Sequence, residues 1–146
     1  MGTNPHSSND PLLHHIGFVV RDLEASAPGI ARTLMTEWNG EVITDPLQRV
    51  KVTFLRGGYQ SPLIELVEPL GDESPVRRFL IENRGGLHHL CYEVQSLEEN
   101  LVRIRVGGGV IVSRPKPAVA FSGRPIAWAL TRERLLLEFL QAVATV

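Results

Sequence analysis

The chain has 146 residues, 43% of them apolar and 21% charged, with a formal net charge of −1. That balance excludes wholesale disorder, and it offers no basic surplus for nucleic acid or an anionic membrane. The single cysteine, Cys91, excludes an intramolecular disulfide and any paired-cysteine zinc motif.

Residues 1–11 are polar and read as a disordered lead-in, so His6 is set aside from the chemistry. They lack the apolar stretch of a secretory signal, and no run approaches the roughly 20 apolar residues of a membrane span. The cytoplasm is the expected location. Residues 12–146 read as one domain. Leu13–Val20 is a strand by its β-branched and aromatic content. Asp22 is placed to cap a helix over Leu23–Trp38, which Pro28 and Gly29 interrupt. Asn39 and Gly40 mark a turn, and Glu41–Thr44, Val50–Arg56 and Pro62–Glu68 follow as strands. Between Pro69 and Gly86, Asp72 or Ser74 is placed to cap a short helix that Gly85 and Gly86 end.

The order then repeats. Leu87–Val94 is a strand, Ser96 caps a helix over Leu97–Val106, and Val110–Ser113, Pro125–Leu130 and Leu135–Leu140 are strands. The proline-rich stretch from Arg114 to Arg124 reads as a loop. Leu-His-His opens both copies, at Leu13 and Leu87, and a Leu-Glu pair opens the helix after each. His15 and His89 stand 74 residues apart; Glu65 and Glu138, each in the middle of an apolar strand, stand 73 apart. Two features sharing one period point to a duplicated module, too long and too few-copied for a solenoid. The expected fold is α+β, with two tandem βαβββ modules over 12–70 and 86–142.

Side chains alternate along a strand. Glu65 therefore shares a face with Leu63 and Val67, and Glu138 with Leu136 and Leu140. A carboxylate on such an apolar face is costly unless paired, protonated or bound to a metal. His15 and His89 sit early in similar strands. Imidazole and carboxylate together suit zinc, nickel, iron, cobalt or manganese. Two of each, supplied by two copies of one module, can make a single site with positions open to substrate oxygens. By the same alternation His14 and His88 fall on the opposite face as structural or exposed residues. Cys91 reads as a small core residue, with no helix N-terminus or base beside it to lower its pKa.

The paired HHIGFVV and HHLCYEV segments, with IELVEPL and LLEFL, resemble the vicinal-oxygen-chelate (glyoxalase/bleomycin-resistance) superfamily. The run from Leu63 to Val94 is most similar to methylmalonyl-CoA epimerase-like proteins, and the resemblance extends over 12–141. It implies a curved mixed sheet around a metal cavity and a homodimer. It also implies one divalent ion (Co, Ni, Zn, Mn or Fe) on His15, Glu65, His89 and Glu138, with Glu138 as ligand and displaceable base. The implied chemistry is that of a metal-dependent isomerase, epimerase or lyase that stabilises an enolate beside the carbonyl of a small acyl or thioester substrate.

The chain departs from the epimerase pattern in three places. Leu47 stands where the second catalytic glutamate belongs, with Asp45 and Gln48 beside it as candidates for a related role. The helix wall from Ala27 to Trp38 lacks the aromatic pair of epimerases, and the hairpin Thr131–Arg134 is tighter. Arg124, Arg132 and Arg134 either face an anionic substrate or are solvated turn residues. A non-catalytic sequestering or carrier protein of the same fold is the alternative, favoured by Leu47. An iron(II) dioxygenase is a third reading, opposed by the extra carboxylate Glu65.

Overall fold

A computed structural model describes residues 9–144; most of the expected lead-in, with His6, lies outside them. The element order is β1 (Leu12–Val19), α1 (Leu23–Leu34), β2 (Ile43–Asp45), β3 (Val50–Leu55) and β4 (Leu63–Pro69) in the first module. The linker helix α2 (Arg77–Asn83) follows. The second module holds β5 (Gly86–Val94), α3 (Leu97–Val106), β6 (Val110–Pro117), a 3-10 turn over Val119–Phe121, β7 (Pro125–Leu130) and β8 (Leu136–Gln141). Each module is thus βαβββ, as the repeat predicts. No helix among the described residues is long and apolar enough to cross a membrane.

The eight strands form one curled sheet in the order β2-β3-β4-β1-β5-β8-β7-β6. Within each module the first and last strands pair in parallel, β1 with β4 and β5 with β8. The modules join through the antiparallel pair β1–β5 at the centre. Helices α1 and α3 cover one face. Leu23, Ala27 and Ala31, one turn apart along α1, bury against Leu55 and Leu66. Leu97 and Leu101 of α3 pack likewise on Ala127, Ala129, Leu137 and Phe139. The other, concave face is left for a cavity.

Both caps predicted from sequence form. Asp22 Oδ1 accepts from the Ala25 N–H at 3.0 Å, and Ser96 Oγ from the Glu99 N–H at 3.2 Å. Four local expectations are corrected. Pro28 and Gly29 do not interrupt α1, because the buried stripe Leu23–Ala27–Ala31 holds the helix across them. The helix stops short of Trp38: Met35 turns left-handed, Glu37 bridges Arg56 in the sheet, and the Trp38 indole N–H donates to Thr53 Oγ1 at 2.8 Å. Helix α2 is capped by neither Asp72 nor Ser74. Its first residue follows Val76, Asp72 instead pairs with Arg77, and the Ser74 hydroxyl is buried without a partner. Finally, β6 runs on to Pro117, its pairing with β7 resumed after irregularities around Ser113.

Candidate metal centre

Four side chains meet at the centre of the concave face. Strand β1 supplies His15, β4 Glu65, β5 His89 and β8 Glu138. The strand register explains the meeting. Gly17 lies beside Glu65 on one flank and His89 on the other, and Cys91 lies beside His15 and Glu138. The four donors therefore surround two small residues at the midline of the sheet. A Cβ on Gly17 would stand 2.0 Å from His89 Cε1, so the imidazole occupies the space that any larger residue would need.

The geometry suits one ion. His15 Nε2 and His89 Nε2 are 3.2 Å apart. Glu65 Oε1 lies 3.7 Å from the first and 3.6 Å from the second, and Glu138 Oε2 lies 3.8 and 3.3 Å from them. All four donor atoms fall within 4.8 Å of one another. Donors each about 2.1 Å from a shared centre stand roughly 3.0 to 4.2 Å apart, depending on the angle. Every one of the four residues is buried, at most 4% exposed. Four buried polar groups, two of them acids, are expensive without a cation to neutralise them. Glu138 Oε1 is buried and has no hydrogen-bond partner. The donor set, its spacing and this orphaned oxygen all fit a divalent metal.

The electrostatics show the same tension. Burial works to raise the Glu138 carboxyl, but hydrogen bonding and charge from His15 and His89 outweigh it and hold the group well below the usual carboxylate range. Burial raises Glu65, with the charge of Glu138 adding to it against His15 and His89. Burial would lower His15, yet the charge of Glu65, then the hydrogen bond and charge of Glu138, raise it. Both shifts favour the protonated forms of His15 and Glu65, with which a cation must compete. Metal affinity is therefore expected to rise with pH above the ordinary histidine value of 6.5, with proton release on binding. The stability of the metal-free protein runs the other way. The His15 contribution is fully present below its ordinary value of 6.5 and is lost as pH rises through the raised one. Glu65, raised above 4.5, acts in the same sense. Glu138 is ionised in both folded and unfolded chains above the ordinary histidine value and adds no slope. Calorimetric metal titration and thermal melts across a pH series check the two opposite trends.

His14 and His88 do not lie across the sheet from the site. The β1–β5 pairing skips both residues, shifting register between Leu13 and His15 on one strand and across His88 on the other. Each skip is a bulge, which turns the first histidine of the pair toward the same side as the second. His14 Nδ1 then lies 2.9 Å from His15 Nδ1, and His88 Nδ1 lies 2.9 Å from His89 Nδ1. Both are half-buried. Burial, then the following histidine of each pair, lowers the pKa of each, that of His88 to about 4.

Aromatic rings enclose the tetrad. Phe54 and Trp128 stand edge-on to His15 and His89, with ring centres 5.8 and 4.7 Å away. They are the strand neighbours of Glu65 and Glu138 respectively. Sequence reading passed over this pair, although it shares the 74-residue period of the histidines. Phe121 stacks on His15 at 5.7 Å. Cys91 is fully buried, and burial followed by the charges of Glu138 and Glu65 pushes its thiol far up, so it stays protonated as a core residue.

A cavity of about 480 Å³ opens over Glu65, His89 and Glu138, with His15 beneath them. Its walls include Val52, Val67, Ile126 and Trp128, and Leu47, Gln48 and Lys116 line it as well. Leu47 is half-exposed. Neither neighbour of Leu47 is free to replace the missing glutamate. Asp45 accepts from the backbone N–H groups of Gln48 and Val119 with its two oxygens, and the Gln48 amide donates to the Pro117 carbonyl. Arg124 pairs with Glu93 at 2.9 Å away from this cavity. Arg132 and Arg134 are exposed turn residues.

Residues 14–128 match the family described as the Glyoxalase/Bleomycin resistance protein/Dioxygenase superfamily. An ethylmalonyl-CoA/methylmalonyl-CoA epimerase of Cereibacter sphaeroides is 35% identical over 115 residues, covering 78% of this chain and 84% of that protein. A Bacillus halodurans hypothetical protein of known structure superposes with a TM-score of 0.79 at 29% identity, covering 96% and 99% of the two chains. The methylmalonyl-CoA epimerase of Mycobacterium tuberculosis shares the fold, with a TM-score of 0.81 at 19% identity over 97% and 95%.

Proposed function

Since the chain belongs to the glyoxalase/bleomycin resistance/dioxygenase superfamily, we propose that it is a metal-dependent isomerase, epimerase or lyase working at the carbon beside the carbonyl of a small acyl or thioester substrate. The observation that carries this reading is the convergence of four buried donors on one point beneath an open cavity. His15, Glu65, His89 and Glu138 hold the ion. An ion held there would supply Lewis acidity toward the substrate carbonyl. Glu138 moves the proton, and its unpartnered Oε1 is the atom that takes it. The low pKa of Glu138 keeps that oxygen ionised at neutral pH. The apolar walls and Trp128 exclude water from the reacting carbon. The epimerase relatives support an acyl-CoA thioester as the substrate class. The reading includes a homodimer, for which light scattering should give twice the chain mass.

A base on one face alone changes the outcome. Epimerisation needs a proton donor opposite the acceptor, and Leu47 cannot give one. Methylmalonyl-CoA incubated with the protein in deuterium oxide should therefore exchange its α-hydrogen without inverting. Leu47→Glu should add inversion, raising epimerisation by about 100-fold or more. The absence of both exchange in the wild type and gain in the variant would point to another substrate; exchange without gain would mean that a glutamate at position 47 does not reach the opposite face of the substrate. The same fold as a non-catalytic sequestering or carrier protein is the second reading, favoured by Leu47 and by the tied carboxylate of Asp45. Tight thioester binding with no exchange at any metal loading would establish it.

A further inference from the structure

Both bulges put a second histidine behind a ligand histidine, and the proposed chemistry uses neither. We infer that His14 and His88 are positioning residues. Each accepts a hydrogen bond at Nδ1 from the Nδ1–H of the following histidine, which fixes that ring with its Nε2 lone pair aimed at the metal. The inference rests on the ligand assignment proposed above.

The geometry is specific. A neutral imidazole has one N–H and one lone pair, and which nitrogen carries the proton is set by the partner of the other. Nε2 of His15 and of His89 is the atom that faces the two carboxylates. For Nε2 to ligate, the proton must sit on Nδ1, and a proton there needs an acceptor because the rings are buried. His15 Nδ1 has such a partner at 2.9 Å in His14 Nδ1, and His89 Nδ1 has one at 2.9 Å in His88 Nδ1. The two contacts recur in both modules at the same step of the repeat. An ordinary strand would send the first histidine of each pair to the helix-covered face. The bulge brings it back, so the irregularity in each strand has a use at the site. The rings behind are themselves held: His88 stands edge-on to Phe79 at 4.8 Å, and His14 edge-on to Phe121 at 5.3 Å. Outer partners of this kind typically contribute about 10- to 100-fold to metal affinity.

The test compares His14→Leu and His88→Leu with His14→Asn and His88→Asn. Asparagine carries an acceptor oxygen where histidine has Nδ1; leucine fills similar space without one. Zinc affinity is measured by chelator competition, and the tautomers of His15 and His89 by long-range proton–nitrogen correlation in the zinc-loaded proteins. Thermal melts of the metal-free variants report folding separately. The expected result is zinc affinity lowered about 10- to 100-fold by leucine and restored to within about threefold by asparagine. Wild-type protein should show Nδ1–H on both ligand histidines. Folded leucine variants with wild-type affinity, asparagine variants as weak as leucine, or wild-type rings protonated at Nε2 would each overturn the inference. A wild-type protein that binds no zinc would sink the ligand assignment itself, and the positioning role with it. Binding in wild type that His89→Ala abolishes, with leucine variants unaffected, would sink the positioning role alone.

Discussion

If the proposed mechanism holds, Glu138→Ala should lower metal-dependent turnover by about 100- to 10,000-fold, the range for loss of a positioned proton-transfer group. It should also weaken metal binding, because it removes one of the four proposed donors and one of the two carboxylates of the cluster. The expected effect is larger than for any residue of the cavity wall, since no other carboxylate reaches the same point. Glu65 Oε1 is committed between the two histidines, and Asp45 is tied by two backbone N–H groups. Elemental analysis of untagged protein beside the kinetics separates the two roles. Wild type should carry about one Co, Ni, Zn, Mn or Fe per chain, and His89→Ala almost none. Turnover that survives Glu138→Ala would mean that another group moves the proton. Wild-type protein free of metal even after reconstitution would transfer the weight to the carrier reading.

Gly17→Ala should cost nearly as much although Gly17 has no side chain to lose. The added Cβ would lie within 2.5 Å of three atoms of the His89 ring. The ring cannot yield toward Trp128, whose edge is already against it, or toward His15 Nε2 at 3.2 Å. It must swing off the centre, and metal affinity should fall by more than about tenfold, with about 1–3 kcal/mol of overpacking destabilisation in the metal-free protein. Chelator competition and denaturant melts measure the two effects. Unchanged affinity in the alanine variant would show that His89 does not ligate from this position. The contrast with Cys91 is informative. Cys91 lies beside His15 on the neighbouring strand and accommodates a side chain there, so the two halves of the site are not interchangeable.

Much of this was legible in the sequence because a duplicated module repeats its chemistry as well as its strands. The 74-residue period located both histidines, and the two acids in apolar strands completed the set without any knowledge of pairing. The register then places them together for a reason the sequence could only imply: parallel pairing of β1 with β4 and of β5 with β8 sets each acid one strand away from its histidine. Strict alternation failed at His14 and His88. A bulge inserts one residue without changing composition, so nothing in Leu-His-His announces it. The end of α1 was missed because a long-range bridge between Glu37 and Arg56 outcompetes the helical tendency of the segment before Trp38. Phe54 and Trp128 offer no metal ligand, so only their shared 74-residue spacing marks them in the sequence.

The central β1–β5 seam gives the site a bearing on how the chain folds. Each module brings one imidazole and one carboxylate, and neither alone can surround a cation. Half a site offers two donors, too few to bind a divalent ion strongly against water. Metal binding thus rewards only chains whose modules have already docked, and it acts as a clasp across the seam more than as a template for either half. Interactions that form only after docking are absent from a transition state that precedes it. Their energy goes into slowing unfolding, with the rate of folding almost untouched. With an ion bound by the four proposed ligands, the loaded protein would unfold more slowly than the empty one.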